Sequence, residues 1–437
     1  MVILRALLGL AFFLFVAWLL STNKRRINWR VVIAGILMQV LLAVVILKTD
    51  TGSNGLRWVS DGVTKFLSFS NKGAEFVFGP LTQFEPAFDE EGTAQPINFY
   101  PHFMYDAEGQ DHLAESSRSS WPIVFAFRAL PTIIFFSAFM AILYHLGIIQ
   151  ALVRLMARFM MWALRVSGAE SLAMAANVFV GQTEAPLVIK PYINGMTRSE
   201  LNALMTGGFA TIAGSVLAAY IGFIGPKFAG HLLAASFMSA PAAFVIAKLM
   251  VPETEESETR GKVSLDVPRT TTNLVDAAAT GTADGLKLAL NVCAMLIAFI
   301  ALVALIDWPL KAMSDGDVTL RSIFGTVFAP VAWMMGVPWD DCNTFGSLLG
   351  TKIVVNEFVA FGNLQEVGAG MSDKAQIMAA YALCGFANFA SIGIQLGGIG
   401  PLAPGRRKDL SQLALRAMLG GAFASWMTAT IAGAFLG

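Results

Sequence analysis

The sequence predicts an all-α polytopic membrane protein: about eight transmembrane helices plus two opposed re-entrant helical hairpins in an inverted repeat, with interfacial helices. Three observations lead there. Of the residues, 56% are hydrophobic and only 14% are charged, against roughly one charged residue in four in soluble domains. Apolar runs long enough to cross a hydrocarbon core of ~30 Å recur along the chain. Two shorter apolar runs carry a carboxylate, Glu184 and Glu357, at a depth where lipid should forbid one. Net charge is zero, which argues against the basic face a nucleic-acid partner would require. Cys293, Cys342 and Cys384 are odd in number and lack metal-ligand spacing, so no disulfide framework is expected. Cys293 and Cys384 read as small buried apolar groups.

The spans follow from apolar runs and are oriented by Lys/Arg bias. Residues 2–20 form the first, retained because no small-residue cleavage site follows them. Lys24, Arg25, Arg26 and Arg30 then set the next turn in the cytoplasm, and residues 31–47 return outward. Residues 55–79 alternate apolar and polar, with Trp58, Phe66 and Phe76 among them, as an amphipathic interfacial helix does. Residues 80–117, acidic and rich in Pro and Gly, read as an extracytoplasmic loop. Residues 122–146 form a third span, and Arg154, Arg158 and Arg165 after it lie at roughly helical spacing on a cytoplasmic membrane-surface face.

A hairpin is expected next. Gly181-Gln182-Thr183-Glu184-Ala185-Pro186 interrupts apolar flanks, each too short for the ~20 residues a spanning helix needs. Two half-length helices meeting at a polar turn suit this pattern, provided protein or a wet cavity covers the turn. A charge at that depth costs ~2.5–3.5 kcal/mol or more, so Glu184 is read as a ligand-binding carboxylate. Lys190 and Arg198 place the hairpin's base on the cytoplasmic side. In residues 201–222, Gly207, Gly208, Thr211, Gly214 and Ser215 either permit close packing or let a helix unwind and offer carbonyls. Residues 231–250 cross back. Residues 252–275, with Glu253, Glu255, Glu256 and Glu258, read as a solvated cytoplasmic linker. Residues 286–306 cross outward, and residues 320–335 are interfacial.

The second half echoes the first. Residues 344–355 form a short apolar run ending in Asn356-Glu357-Phe358, about 175 residues after the first carboxylate. At nearly that interval, the stretch from Gly208 to Gly214 resembles the stretch from Gly385 to Ser391. An odd number of intervening spans puts the two hairpins on opposite membrane sides. Broken segments in corresponding, inverted halves point to a midplane binding site in secondary transporters. Arg406, Arg407, Lys408 and Arg416 bring the chain back to the cytoplasm before a last span at 417–436. The chain accordingly divides into a scaffold (1–166), a first transport repeat (167–250), a linker and scaffold unit (251–338) and a second transport repeat with the last span (339–437).

Asn388, Ser391 and Gln395 fall at i, i+3 and i+7, a polar stripe on an apolar helix. Amides beside hydroxyls suit a polyhydroxylated small molecule; the competing role is interhelical hydrogen bonding, worth ~0.6 kcal/mol each. For coupling, a hard cation would take oxygens from Asn177, Val180, Thr211 and Ile212. A proton on Glu184 or Glu357 is the alternative, because burial makes reversible protonation accessible. An intramembrane hydrolase using the two carboxylates lacks a metal set: His102 and His112 fall in the outer loop, His145 and His231 at span ends.

The run from Gly181 to Tyr192, the stretches M-T-R-S-E-L and G-G-F-A-T-I-A-G-S-V after it, N-E-F at 356–358 and G-F-A-N-F-A-S-I-G-I-Q at 385–395 resemble the signature of the concentrative nucleoside transporter family, from about Ser167 to the C-terminus. The first two spans are similar to the bacterial branch more weakly. The resemblance implies a homotrimer in a lipid bilayer, the bacterial inner membrane, importing nucleosides with a sodium gradient by alternating access, and no enzymatic activity. It implies that Gln182, Thr183 and Glu184 face the nucleobase, that Glu357, Asn388 and Ser391 hold the ribose hydroxyls, and that Phe386 and Val216 pack against the ligand. Sodium would correspond to Asn177, Val180, Thr211 and Ile212. The sodium-coupled bacterial pattern carries Ser where this chain has Thr211, which keeps the hydroxyl and adds a methyl. Proton coupling, and a passive nucleoside channel or gate, are the alternatives.

Overall fold

The computed structural model describes residues 2–78, 125–260, 271–314 and 317–436, and every regular element among them is helical. The acidic loop expected at residues 80–117, with His102 and His112, lies outside the described residues, as do the start of the third span and residues 261–270 of the linker.

Helices α1 (Val2–Leu19) and α2 (Trp29–Lys48) are joined by the basic turn, and Asn28 caps α2 by accepting from the Arg30 N–H. Helix α3 (Asp50–Phe78) is the expected amphipathic element; it buries little of itself and lodges Phe66 against Phe135 and Phe139 of α4 (Phe125–His145), ring centroids 4.7 Å apart in each case. Gly147, at φ 80°, lets the chain turn through 74° into α5 (Ile148–Leu164). Ile149, Val153, Ala157, Met160 and Leu164 are the buried stripe of α5, at the spacing one helix face requires. Arg154 and Arg158 stand exposed on the opposite side. Arg165, expected on the same face, has already left the helix with φ 53°.

Helix α6 (Gly168–Asn177) starts with a capping box between Ser167 and Glu170 and ends at the polar turn. The returning arm differs from the expected half-helix. It consists of two short helical turns, α7 (Ala185–Val188) and α8 (Lys190–Ile193), each with proline in its first turn. Pro191 has no N–H to continue the ladder from α7, so the arm is stepped. Helix α9 (Arg198–Ala210) is followed by three non-helical residues and α10 (Gly214–Ile224), so the span expected over residues 201–222 is broken at Thr211.

Helix α11 (Ala229–Met250) runs through the middle of the protein, with 89% of its apolar stretch buried. Helix α12 (Leu274–Met313) is the opposite case: only 11% of its apolar stretch is covered. Its inner face is narrow and small. A Cβ on Gly281 would lie 2.7 Å from the Ser137 carbonyl, and one on Gly285 would lie 2.8 Å from the Ile134 Cα, so glycine is what lets α12 sit against α4. Helix α13 (Leu320–Met334) lies against α14 (Cys342–Val354) through the same device at Gly346. Asn356 caps α15 (Glu357–Val367), and α16 (Asp373–Leu383) is separated from α17 (Phe389–Ile399) by a non-helical break. Helix α18 (Arg407–Phe435) closes the chain, 83% of its apolar stretch buried.

Helices α2, α11, α12 and α18 are long and apolar enough to cross a membrane, and α4 with α5 makes a fifth if that bent pair is one span. The Gly-Phe-Ala resemblance between the halves is displaced in the fold. Gly208 lies inside α9, whereas Gly385 lies in the break after α16. Glu184 to Glu357 is a step of 173 residues, and so is Ala210 to Leu383, the last residues of α9 and α16, while Gly208 to Gly385 is a step of 177. The helix ends keep the register that the matching letters miss by a turn.

One expectation is corrected. Glu253 is not a solvated linker carboxylate: it accepts from the Thr197 hydroxyl at 2.9 Å and pairs with Lys248 at 3.4 Å. Lys248 is buried, and its ammonium also reaches Glu170 at 2.6 Å and the Ser199 hydroxyl at 3.0 Å. The linker continues the network, with Ser257 donating to Glu200 at 2.6 Å. These contacts tie the start of α6, the start of α9 and the end of α11 into one base beneath the first polar turn.

Candidate functional site

Both polar turns and both broken helices open on one cavity of about 630 Å³. Gln182, Thr183 and Glu184 reach it from the first turn, Glu357 from the second, Val216 from α10, and Phe386, Asn388 and Ser391 from the second break and α17. All eight side chains named from the sequence therefore share its wall.

Local backbone preferences put them there. Asn356 and Asn388 are both in extended conformation as N-caps, their side-chain oxygens accepting from the Val359 and Ser391 N–H groups at 2.9 and 2.8 Å. Each cap starts a helix at the cavity and turns the next polar group inward. Asn388 therefore stands at the end of the polar stripe rather than on the helix, and its amide is free to donate to Glu357 Oε2 at 2.7 Å. Gly385, at φ 141°, crosses the end of α9 so closely that a Cβ would lie 2.8 Å from the Phe209 carbonyl. This contact holds the two breaks back to back.

Glu357 is buried and occupied on both oxygens. Tyr220 of α10 donates to Oε1 at 3.0 Å, while its ring stacks on Phe361 at 4.3 Å and meets Phe358 edge-on at 4.9 Å. Sequence reading missed Tyr220, which sits as one aromatic in an apolar run. Gln182 is fixed similarly: it accepts from Gln395 at 3.1 Å and donates to the Ser391 hydroxyl at 3.3 Å, and Gln395 also donates to the Met205 carbonyl at 3.0 Å. Glu184, by contrast, is exposed and folds back over Gly181, where a Cβ would meet its carboxylate. A site of this kind offers acceptors from two carboxylates, amides that both donate and accept, and the Phe386 ring.

The cation candidates form a second cluster beside the first turn. Asn177 is the last residue of α6 and is buried, yet neither Oδ1 nor Nδ2 has a hydrogen-bond partner. Buried polar groups are normally hydrogen-bonded, so a water or an ion is a natural partner for this amide. Asn177 lies against the last turn of α9: a Cβ on Gly207 would be 3.3 Å from Nδ2. The Thr211 hydroxyl, at the break, donates to the Gly207 carbonyl at 2.8 Å. Val180 and Ile212 lie in non-helical backbone, where carbonyls are outside any helical ladder. Only Val180 of these four also lines the cavity. The donor set is all oxygen and uncharged, with Asn177, Thr211 and Ile212 buried and Val180 half-buried, which fits a monovalent hard cation better than a transition metal.

The family profiles described as Na+ dependent nucleoside transporter N-terminus and C-terminus match residues 8–81 and 231–433, and a profile described as nucleoside recognition (Gate) matches residues 126–227. The transporter YutK of Bacillus subtilis (strain 168) is 41% identical over 99% of this chain and 100% of its own. Sodium/nucleoside cotransporter 1 of Mus musculus is 39% identical over 97% of this chain, which spans 62% of that relative's length. Among solved structures, CNTnw in an inward-facing substrate-bound state superposes with a TM-score of 0.86 at 40% identity, covering 100% of both chains. A CNTnw variant in an outward-facing state gives 0.85 at 39% identity over 100% of this chain and 98% of its own. These relatives are transporters, which sets the intramembrane hydrolase aside. With both ends and the middle of its sequence matched, the chain belongs to the concentrative, Na+ dependent nucleoside transporter family.

Proposed function

We propose that this chain is a secondary active symporter that imports uridine-like nucleosides with a sodium gradient by alternating access. The observation that carries the reading is the convergence of both carboxylate turns and both broken helices on one cavity. Gln182, Thr183 and Glu184 face the nucleobase, Glu357, Asn388 and Ser391 take the ribose hydroxyls, and Val216 and Phe386 pack against the ligand. An ionised carboxylate accepts from hydroxyls without a competing donor, and Glu357 is already oriented by Tyr220 and Asn388.

Asn177, Val180, Thr211 and Ile212 would hold sodium, and the orphaned Asn177 amide supports that choice. Bound there, sodium supplies the charge through which its gradient drives the substrate. Gly214 donates to the Phe179 carbonyl at 3.1 Å, so the break carrying Thr211 is tied to the turn carrying Gln182. Order at the cation cluster thus reaches the nucleobase side of the cavity.

In this reading α1, α2, α4, α9–α10, α11, α12, α16–α17 and α18 are the eight spans. The re-entrant hairpins of the inverted repeat are α6–α8 and α14–α15, while α3, α5 and α13 lie at the interface. Residues 167–250 and 339–437 are the two transport repeats. The apolar outer face of α12, with Ile297 and Leu305 exposed, suits lipid or the other protomers of a homotrimer in the bacterial inner membrane. Uridine uptake into proteoliposomes tests the reading: it should need an inward sodium gradient, accumulate uridine unaltered above the outside concentration, and largely disappear in Glu357→Gln. Equal uptake driven by a pH gradient in sodium-free buffer would replace sodium with protons. Uptake that only equilibrates would make the protein a channel.

A further inference from the structure

Lys352 is fully buried in α14, five residues before Glu357. Its ammonium donates to the Ala382 carbonyl at 2.7 Å and to the Ser425 hydroxyl at 2.7 Å. Lys248, also buried, has carboxylate partners; among the described residues Lys352 has none within ion-pair distance. A buried charge costs several kcal/mol in lost hydration. Here the return comes from neutral oxygens at a helix end, because Ala382 is next to last in α16. The C-terminus of a helix carries the negative end of its dipole, and carbonyls at the ends of broken helices are what coordinate alkali cations in transporters.

The first half has a comparable arrangement without a lysine, two residues out of that register. Asn177 ends α6 and lies against the last turn of α9, beside Gly207 and the Thr211 hydroxyl. Lys352 lies near the end of α14, at the last turn of α16, beside a hydroxyl from α18. Asn177 to Lys352 is a step of 175 residues, close to the 173 that separates both the two carboxylates and the two helix ends. One half carries an orphaned amide beside a helix end, and the other places its own ammonium beside one.

We infer that Lys352 is a tethered cation, taking in the second half the position that the coupling ion takes in the first, and that it thereby limits the protein to one sodium per nucleoside. The inference rests on the sodium assignment proposed above. Its consequence is an asymmetry between the halves. The second hairpin carries its own charge-assisted bonds to α16 and α18, whereas Asn177 on the first hairpin gains a partner against α9 only when the ion is present.

The test is uridine binding by calorimetry on the intact detergent-solubilised protein over a range of sodium concentrations. By linkage, the slope of log affinity against log sodium counts the ions taken up with each nucleoside. The wild type should give a slope of about one. Lys352→Asn removes the ammonium and supplies an amide like that of Asn177. Its slope should rise to about two, and sodium alone should raise its melting temperature in two saturable steps. Lys352→Met leaves both oxygens without a donor, so uridine affinity should fall at least about tenfold at every sodium concentration. A wild-type slope of two, a folded Lys352→Asn with an unchanged slope, or a Lys352→Met that binds like wild type would each overturn the inference. The wild-type slope needs no variant to fold. Wild-type affinity independent of sodium would instead overturn the symport reading itself.

Discussion

Replacing Glu357 by Gln is the most direct probe of the proposed ribose contact, because the side chains have the same shape and differ in charge and donors. The carboxylate has about four lone-pair positions and no proton. Tyr220 uses one on Oε1 and Asn388 one on Oε2, which leaves about two for ligand hydroxyls. In the amide, the oxygen must face Asn388, whose Nδ2 is a donor at 2.7 Å. The NH2 then faces the Tyr220 hydroxyl, which can turn to accept. The ligand meets at most one neutral acceptor where two charged ones stood. Charge-assisted bonds contribute ~1.5–3 kcal/mol and neutral ones ~1, so replacing two of the first by one of the second loses about 2–5 kcal/mol, or roughly 30- to 4,000-fold in affinity.

Calorimetric titration with uridine, 2′-deoxyuridine and 3′-deoxyuridine at saturating sodium separates this mechanism from a general weakening. In the wild type, at least one deoxy compound should bind about tenfold or more weakly than uridine. In Glu357→Gln that penalty should shrink to less than about threefold, because the acceptor it reports is gone. An undiminished deoxy penalty in the variant would refute the assignment of Glu357 to ribose, whatever the absolute affinity.

Asn177→Ala should raise the sodium concentration for half-maximal uridine binding at least about tenfold, with affinity at saturating sodium within about threefold of wild type, read by the same titration. Lys248→Met should lower unfolding free energy by about 3–5 kcal/mol, seen as an earlier thermal transition, because it leaves the Glu170 carboxylate buried and unpaired; adding Glu170→Gln should recover part of that loss. Gly385→Ala should destabilise by about 1–3 kcal/mol in the same assay, since its φ of 141° strains any Cβ and the Phe209 carbonyl lies where that Cβ would go.

Much of the fold was legible because polarity in an apolar chain is expensive. Carboxylates inside apolar runs stand out, and the eight candidate side chains around Glu184 and Glu357 do meet at one cavity. Groups whose partners come from distant elements were not legible. Tyr220 looks like one more core aromatic until α10 and α15 are brought together, and Lys352 has no partner nearby in sequence. Glu253 looked solvated because nothing local pairs with it; its partners are on α9 and α11. The displaced Gly-Phe-Ala match has another cause. Small residues serve close packing inside α9 and a positive φ at Gly385, so identical letters answer two different physical demands.

The two carboxylates differ in a way that bears on how binding energy is used. Glu357 is buried and oriented by two donors before any ligand arrives, so little ordering cost attends a ribose contact there. Glu184 is exposed and lies on a turn followed by two short helical steps. In the proposed mechanism, ordering that turn would consume part of the gain from the nucleobase, and a cation against Asn177, joined to the turn through the bond from Gly214 to the Phe179 carbonyl, would offset it. A ligand shifts a conformational equilibrium only by its differential affinity for the two states. In the proposed mechanism the difference would arise at Glu184, the one carboxylate not held in advance, while the Glu357 side would supply affinity common to both states. Coupling in this proposal would follow from local order: sodium would strengthen nucleoside binding by ordering the turn that carries Glu184.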